Sequence, residues 1–260
     1  ACNVRTLMDS VSNMRPERRM ALTACYSIDI AALSETWLAE EGSISEPKGG
    51  YTFFWKGTVE NEDRTHRVLF TIKISLLNQP ASMSLIKLPF PLSPFCHITV
   101  ISGYAPTMTC SDEAKESFYS DINGDKPLLM DDFNARVGND FRIKNGVLEH
   151  HGANKMNTNG LLLLSFCGEN DLSITNTLFR QADKYKTTWM HSRSKQWRMT
   201  DFIIRNSWDI CDFKITSALC GEKGLTDHRL VKSVLILHII PTHHKKPKFI
   251  RQSFNTGKLK

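Results

Sequence analysis

The sequence predicts a two-sheet α/β sandwich: two mainly antiparallel sheets face to face, with helices outside. Three observations carry this. Short runs rich in Ile, Val, Phe and Leu recur from residue 27 to residue 237, separated by polar turn residues. These runs outnumber the plausible helices. Nor do they alternate regularly with helices, as the strands of a Rossmann sheet do.

In chain order, strand-like runs fall at 27–33, 52–55, 68–74, 97–104 and 128–130, the last leading into Asp131. They continue at 172–175, 187–190, 199–204, 213–216 and 230–237. Three helices are expected. The first covers 16–24, with Pro16 at the opening position, where its missing N–H costs nothing. The second covers 112–119 after Ser111, a good N-cap, with acids in its first turn. The third covers 158–167 and is expected to stop at Gly168. From Pro241 the pattern ends, so residues 1–240 read as one domain and 241–260 as a basic linker or tail.

Composition bounds the function. With 260 residues, 41% hydrophobic and 23% charged, the chain is ordinary for a globular protein, and wholesale disorder is excluded. The net charge is +6, from 33 Lys and Arg against 27 Asp and Glu. Six of those bases and no acids lie in 241–260 (Lys245, Lys246, Lys248, Arg251, Lys258, Lys260), which leaves the body balanced. The longest apolar runs, 161–164 and 234–237 with short extensions, fall far below the roughly 18–20 residues of a membrane span. No signal peptide opens the chain. It begins Ala1-Cys2-Asn3 without an initiator Met, which predicts a piece of something longer. Seven scattered cysteines with no Cys-x-x-Cys favour reduced thiols over a disulfide framework or zinc ribbon. A nuclear or cytoplasmic protein is expected, neither secreted nor membrane-bound.

Several strand runs end in carboxylates or amides. Ile30-Ala31-Ala32-Leu33 runs into Ser34-Glu35-Thr36, and Leu128-Leu129-Met130 into Asp131-Asp132-Phe133-Asn134. Asp201 opens the run Phe202-Ile203-Ile204, and Asp227-His228 precedes Arg229-Leu230-Val231. An acid beside a buried strand is costly unless it is paired, hydrogen-bonded or metal-bound, although single Asp and Asn residues often serve as turn residues there. Glu35, Asp132, Asp201 and Asp227 are hard oxygen donors, suited to Mg²⁺ or Mn²⁺ rather than structural zinc. His228 can exchange a proton near neutral pH, or be merely a histidine in a turn.

These residues also carry a resemblance. Cys2-Asn3, Leu33-Ser34-Glu35-Thr36, Tyr104-Ala105-Pro106, Asp132-Phe133-Asn134, Thr200-Asp201-Phe202-Ile203 and Thr226-Asp227-His228 resemble, in order, the motifs of the endonuclease/exonuclease/phosphatase superfamily. Longer stretches, Ala105-Pro106-Thr107-Met108-Thr109 and Asp132-Phe133-Asn134-Ala135-Arg136-Val137-Gly138 among them, resemble the endonuclease domain of LINE-type non-LTR retrotransposons and the craniofacial development protein 2-like proteins related to them. The resemblance covers nearly all of 1–235. It implies that Glu35 is the principal Mg²⁺ (or Mn²⁺) ligand, with Asn3 beside it and Asp227 completing the metal or water shell. It implies that Asp132, aided by Asn134, orients or deprotonates the attacking water. His228 would bind the scissile phosphate, Asp201 would fix its tautomer, and Tyr104 would donate to a phosphate oxygen. The implied partners are DNA and, in the parent element, a reverse transcriptase joined through a linker.

Residues 180–200 supply cations for such a partner: Arg180, Lys184, Lys186, Arg193, Lys195 and Arg198, interleaved with Tyr185, Trp189 and Trp197. They are either a DNA-facing surface or a solvated hairpin, with Trp189 expected in the core. The chain departs from the motifs where Asp131 and Cys2 replace the usual Gly and Trp, in Arg67-Val68-Leu69, and in a clipped first helix and a short 121–128 stretch. Asp131 is expected to raise the pKa of Asp132 by like-charge repulsion and to weaken activity. Two further readings stay open: a catalytically inactive domain that binds nucleic acid or protein, and a phosphatase or phosphodiesterase acting on small phosphoesters.

Overall fold

Most of the apolar runs become strands because both of their faces are covered, which is why they read as continuous rather than alternating hydrophobic stretches. In the computed structural model, residues 1–5, 27–38, 41–47, 49–56, 68–76, 87–93, 96–122, 127–220 and 226–236 are described. The helix expected at 16–24 and the tail at 241–260 lie outside the described residues.

The strands are Cys2–Asn3 (β1), Ile30–Ser34 (β2), Glu41–Glu46 (β3), Tyr51–Lys56 (β4), Val68–Lys73 (β5), Lys87–Ser93 (β6), Cys96–Ser102 (β7) and Pro127–Asp132 (β8). They continue with Leu172–Ile174 (β9), Trp189–Met190 (β10), Trp197–Arg198 (β11), Asp201–Asn206 (β12), Phe213–Ala218 (β13) and Val231–Leu235 (β14). Two α-helices, Asp112–Asp121 (α1) and Thr158–Glu169 (α2), accompany them among the described residues. One five-stranded sheet has the order β1-β2-β5-β4-β3 and the other β6-β7-β8-β12-β9; β10-β11 and β13-β14 form separate pairs. Only β1–β2 and β7–β8 are parallel among these pairs, so the sheets are mainly antiparallel as expected.

The core separates by strand parity. Ala32, Phe70 and Ile72 of the first sheet meet Ile98, Val100, Leu128, Met130 and Ile203 of the second. The alternate residues Ile101, Leu129, Phe202 and Ile204 face outward and pack under Leu163, Leu164 and Cys167 of α2. On the far side Ala31, Leu33, Phe53 and Leu69 form a third cluster. This period-two division across two covered sheets is the sandwich.

Sequence and structure differ at instructive places. The run at 27–33 contributes β2 only from Ile30. β3 (Glu-Gly-Ser-Ile-Ser-Glu) is a mostly exposed edge strand with no apolar signal. β6 carries Pro89 and Pro91, which an edge strand tolerates because a missing N–H can face away from the ladder. Helix α2 does not stop at Gly168. It runs through Glu169, and Asn170 caps it by donating from both its backbone N–H and its side-chain amide to the Phe166 carbonyl. An added Cβ at Gly168 would lie 3.1 Å from the Lys144 ammonium, the far end of a flexible side chain that can move aside.

A candidate active site where four segments meet

Strand pairing brings the acids together. β8 and β12 are antiparallel, and their register places Asp201 directly opposite Asp132. β1 runs parallel to β2, so Asn3 pairs with Ser34, next to Glu35. An isolated bridge between Trp189 and His228 fixes the last segment beside them.

Asn3 lies between the two sheets' acids. Its Nδ2 donates to Glu35 Oε1 at 2.8 Å and to Asp132 Oδ2 at 3.3 Å. The Asn134 backbone N–H donates to Asp132 Oδ1 at 2.9 Å, and the Asn134 side chain donates to the Ala105 carbonyl at 2.8 Å. His228 is buried, with Nδ1 3.1–3.2 Å from both Asp201 oxygens and Nε2 3.8 Å from Asp132 Oδ2. Tyr104, half-buried, turns its hydroxyl towards Asn134 and Glu35. Arg5, Glu35 and Asn134 hold φ of 56°, 54° and 47°, left-handed values that non-glycine residues keep only where the surroundings impose them.

The electrostatics follow from crowding. Burial and Asp201 push the Asp132 carboxyl up to about 7, against the opposing pull of His228 and of the Asn134 and Asn3 hydrogen bonds. The expected rise at Asp132 is present, with burial and Asp201 as its largest causes. The Asp131 carboxyl is itself raised to about 7, chiefly by burial. Burial works against a charged His228, yet the facing Asp201, with Asp132 and Asp227, raises it to about 9. Burial would likewise raise Asp201, but His228 and the Thr188 and Thr200 hydroxyls hold it below the usual carboxylate range. Burial also pushes the Tyr104 hydroxyl up, so it remains a donor.

Asp227, expected as a metal ligand, is tied at Oδ2 by Arg5 Nη2 (2.7 Å) and by the Trp189 indole N–H (2.8 Å). Its Oδ1 is buried and has no hydrogen-bond partner. Trp189 is therefore half-buried at the site rather than in the core. The signal was available: a partly buried indole N–H needs an acceptor, and an acid-rich site offers one. The Thr188 hydroxyl, accepting from the backbone N–H groups of Thr200 and Asp201, carried no such signal. Among the described residues Asp132, Asp201 and His228 form one acid–histidine group whose candidate ligand atoms all lie within 4.8 Å of one another.

The basic residues divide. Arg180, Lys184, Arg193 and Lys195 are exposed, and Arg198 is half-buried on β11. Lys186, with its side chain 12% exposed, is held 3.6 Å from Asp183. The Arg229 guanidinium stacks 3.4 Å over Trp197 and donates to the Lys184 and Thr187 carbonyls, binding this loop to the segment that carries His228.

No family model matches the chain. Craniofacial development protein 2 of Bos taurus is 33% identical over 168 residues, which are 60% of this chain and 28% of that protein, so the match spans little more than a quarter of its length. Among solved structures, a 3'-5' exonuclease from Neisseria meningitidis superposes with TM-score 0.59 at 16% identity, covering 90% of this chain and 97% of that one. The endonuclease domain of TRAS1, a telomere-specific non-LTR retrotransposon, gives 0.54 at 13% identity, with 88% and 95% covered. An endonuclease/exonuclease/phosphatase family protein from Leptotrichia buccalis gives 0.55 at 11%, with 90% and 97% covered. The resemblance read from the motifs is borne out: the chain has the endonuclease/exonuclease/phosphatase fold, and its sequence is similar to part of craniofacial development protein 2.

Proposed function

We propose that this chain is a divalent-metal-dependent DNA endonuclease domain of LINE type, which nicks a phosphodiester in a target strand. One observation carries the reading: Asp132 sits with Asn3 and the Asn134 N–H on one side and with a His228–Asp201 pair on the other. That is a carboxylate able to orient water beside a cation able to meet a phosphate oxygen.

The residues fit a hard cation. Glu35, Asn3 and Asp227 supply oxygen donors, and Asp227 Oδ1 is buried without a partner. Mg²⁺ or Mn²⁺ held there would supply charge stabilisation to the phosphate. This chain's residues do the rest. Asp132 accepts a proton from water. Asp201 holds the His228 ring with Nδ1–H towards itself and leaves Nε2–H for a non-bridging phosphate oxygen. Tyr104 donates to the same phosphate. The exposed bases of 180–198 attract the neighbouring backbone phosphates. Likeness to a retrotransposon endonuclease domain among the neighbours supports DNA as substrate.

The test is nicking of supercoiled plasmid with Mg²⁺. Activity that EDTA abolishes and that both Asp132→Asn and His228→Ala lack supports the reading. Activity retained in Asp132→Asn refutes the site, and turnover of inositol phosphates without nicking refutes the substrate.

A further inference from the structure

Asp131, where the related motifs have glycine, is buried directly behind the site and is fully engaged. Its Oδ1 accepts from the Ser34 hydroxyl (2.6 Å) and from the Asp132 backbone N–H (2.9 Å), and its Oδ2 accepts from the Ser102 hydroxyl (2.7 Å). Ser34 ends β2 of the first sheet and is bonded to Glu35. Ser102 ends β7 of the second sheet, two residues before Tyr104. Backbone ladders run within each sheet and none joins the two among the described strands, so side chains must set the spacing across the seam. Asn3 does so from one side, touching Glu35 and Asp132 together.

We propose that Asp131 is a positioning residue that does so from the other, tying the strand end that carries Glu35 to the one that carries Asp132. The inference rests on the reading of Glu35 and Asp132 as the working carboxylates. A buried carboxylate is tolerated only when its oxygens are satisfied, and here three donors come from the three segments that deliver Glu35, Tyr104 and Asp132. A small divalent cation demands closely held donors, and outer partners of such donors commonly change metal affinity about 10–100-fold.

The test compares Asp131→Gly, Ser34→Ala and Asp131→Asn with the parent chain, each checked for fold by circular dichroism. Mn²⁺ affinity is measured by calorimetry, and kcat and KM by plasmid nicking. Asp131→Gly and Ser34→Ala are expected to bind Mn²⁺ at least about tenfold more weakly and to lose kcat with KM for DNA unchanged. Asp131→Asn is expected to stay within about threefold of the parent, because its carbonyl can accept from Ser34 while its amide donates to Ser102. Should Asp131→Gly not fold, Ser34→Ala and Ser102→Ala carry the same comparison. Equal Mn²⁺ affinity in the folded variants and the parent overturns the proposal. If the parent itself binds no Mn²⁺ and nicks no DNA, the functional reading fails, and amide hydrogen exchange at Glu35 and Asp132 decides the clamp. Faster exchange in Asp131→Gly but not in Asp131→Asn supports it, and unchanged exchange overturns it.

Discussion

Asp201→Asn tests the charge arrangement most directly. The carboxylate is fully buried, lies 3.1–3.2 Å from His228 Nδ1, and accepts the Thr200 hydroxyl at 3.1 Å. An amide of the same size keeps the packing but loses the charge and one acceptor. Burial, which already opposes a charged ring, is then opposed only by the smaller pulls of Asp132 and Asp227. The gap between about 9 and the ordinary 6.5 corresponds to about 3 kcal/mol of preference for the protonated ring. Losing that much leaves His228 neutral at pH 7.5, and the nicking rate is expected to fall by about 10²–10³. Two measurements check this: single-turnover nicking against pH, and the NMR titration of the His228 ring, which needs no activity. A ring that still titrates near 9 in Asp201→Asn, or a rate within threefold of the parent, would refute the reasoning.

Three further outcomes are expected. Gly160→Ala places a Cβ against the Arg136 carbonyl, backbone that cannot swing aside, so a loss of about 2–3 kcal/mol is expected in urea unfolding. Trp189→Phe removes an indole N–H from Asp227 and is expected to cost about 1–2 kcal/mol, together with a severalfold fall in nicking. The metal-free chain is expected to lose stability as pH rises. Raised Asp132 favours the folded state while protonated, and that contribution fades as pH climbs from 3.8 through about 7. Raised His228 stabilises fully below 6.5 and loses its contribution through about 9. Melting temperature against pH checks both, and His228→Asn should flatten the upper part of the curve.

Much of the candidate site was legible in the chain because its members stand at strand ends, where a polar residue breaks an apolar run. Glu35 after Leu33-Ser34, Asp132 after Met130-Asp131 and Asp201 before Phe202 all announce themselves in this way. Residues that serve through a single hydrogen bond did not. Trp189 looked like core because an indole is mostly apolar, and its bond to Asp227 links residues 38 apart. Ser34 and Ser102 are ordinary strand residues until Asp131 lies between them.

The sequence alone determined the class of fold and the chemistry available. Local apolar periodicity dictates strands, and side-chain type dictates hard oxygen donors. Only the tertiary structure decided what Asp131 touches. Read along the chain it is a second charge beside Asp132, and repulsion follows. Folded, the carboxylate finds hydroxyl donors 97 and 29 residues away, in two different sheets, and the Asp132 N–H beside it. Repulsion between neighbours is a property of the local chain, whereas hydrogen-bond satisfaction depends on which segments the core brings together.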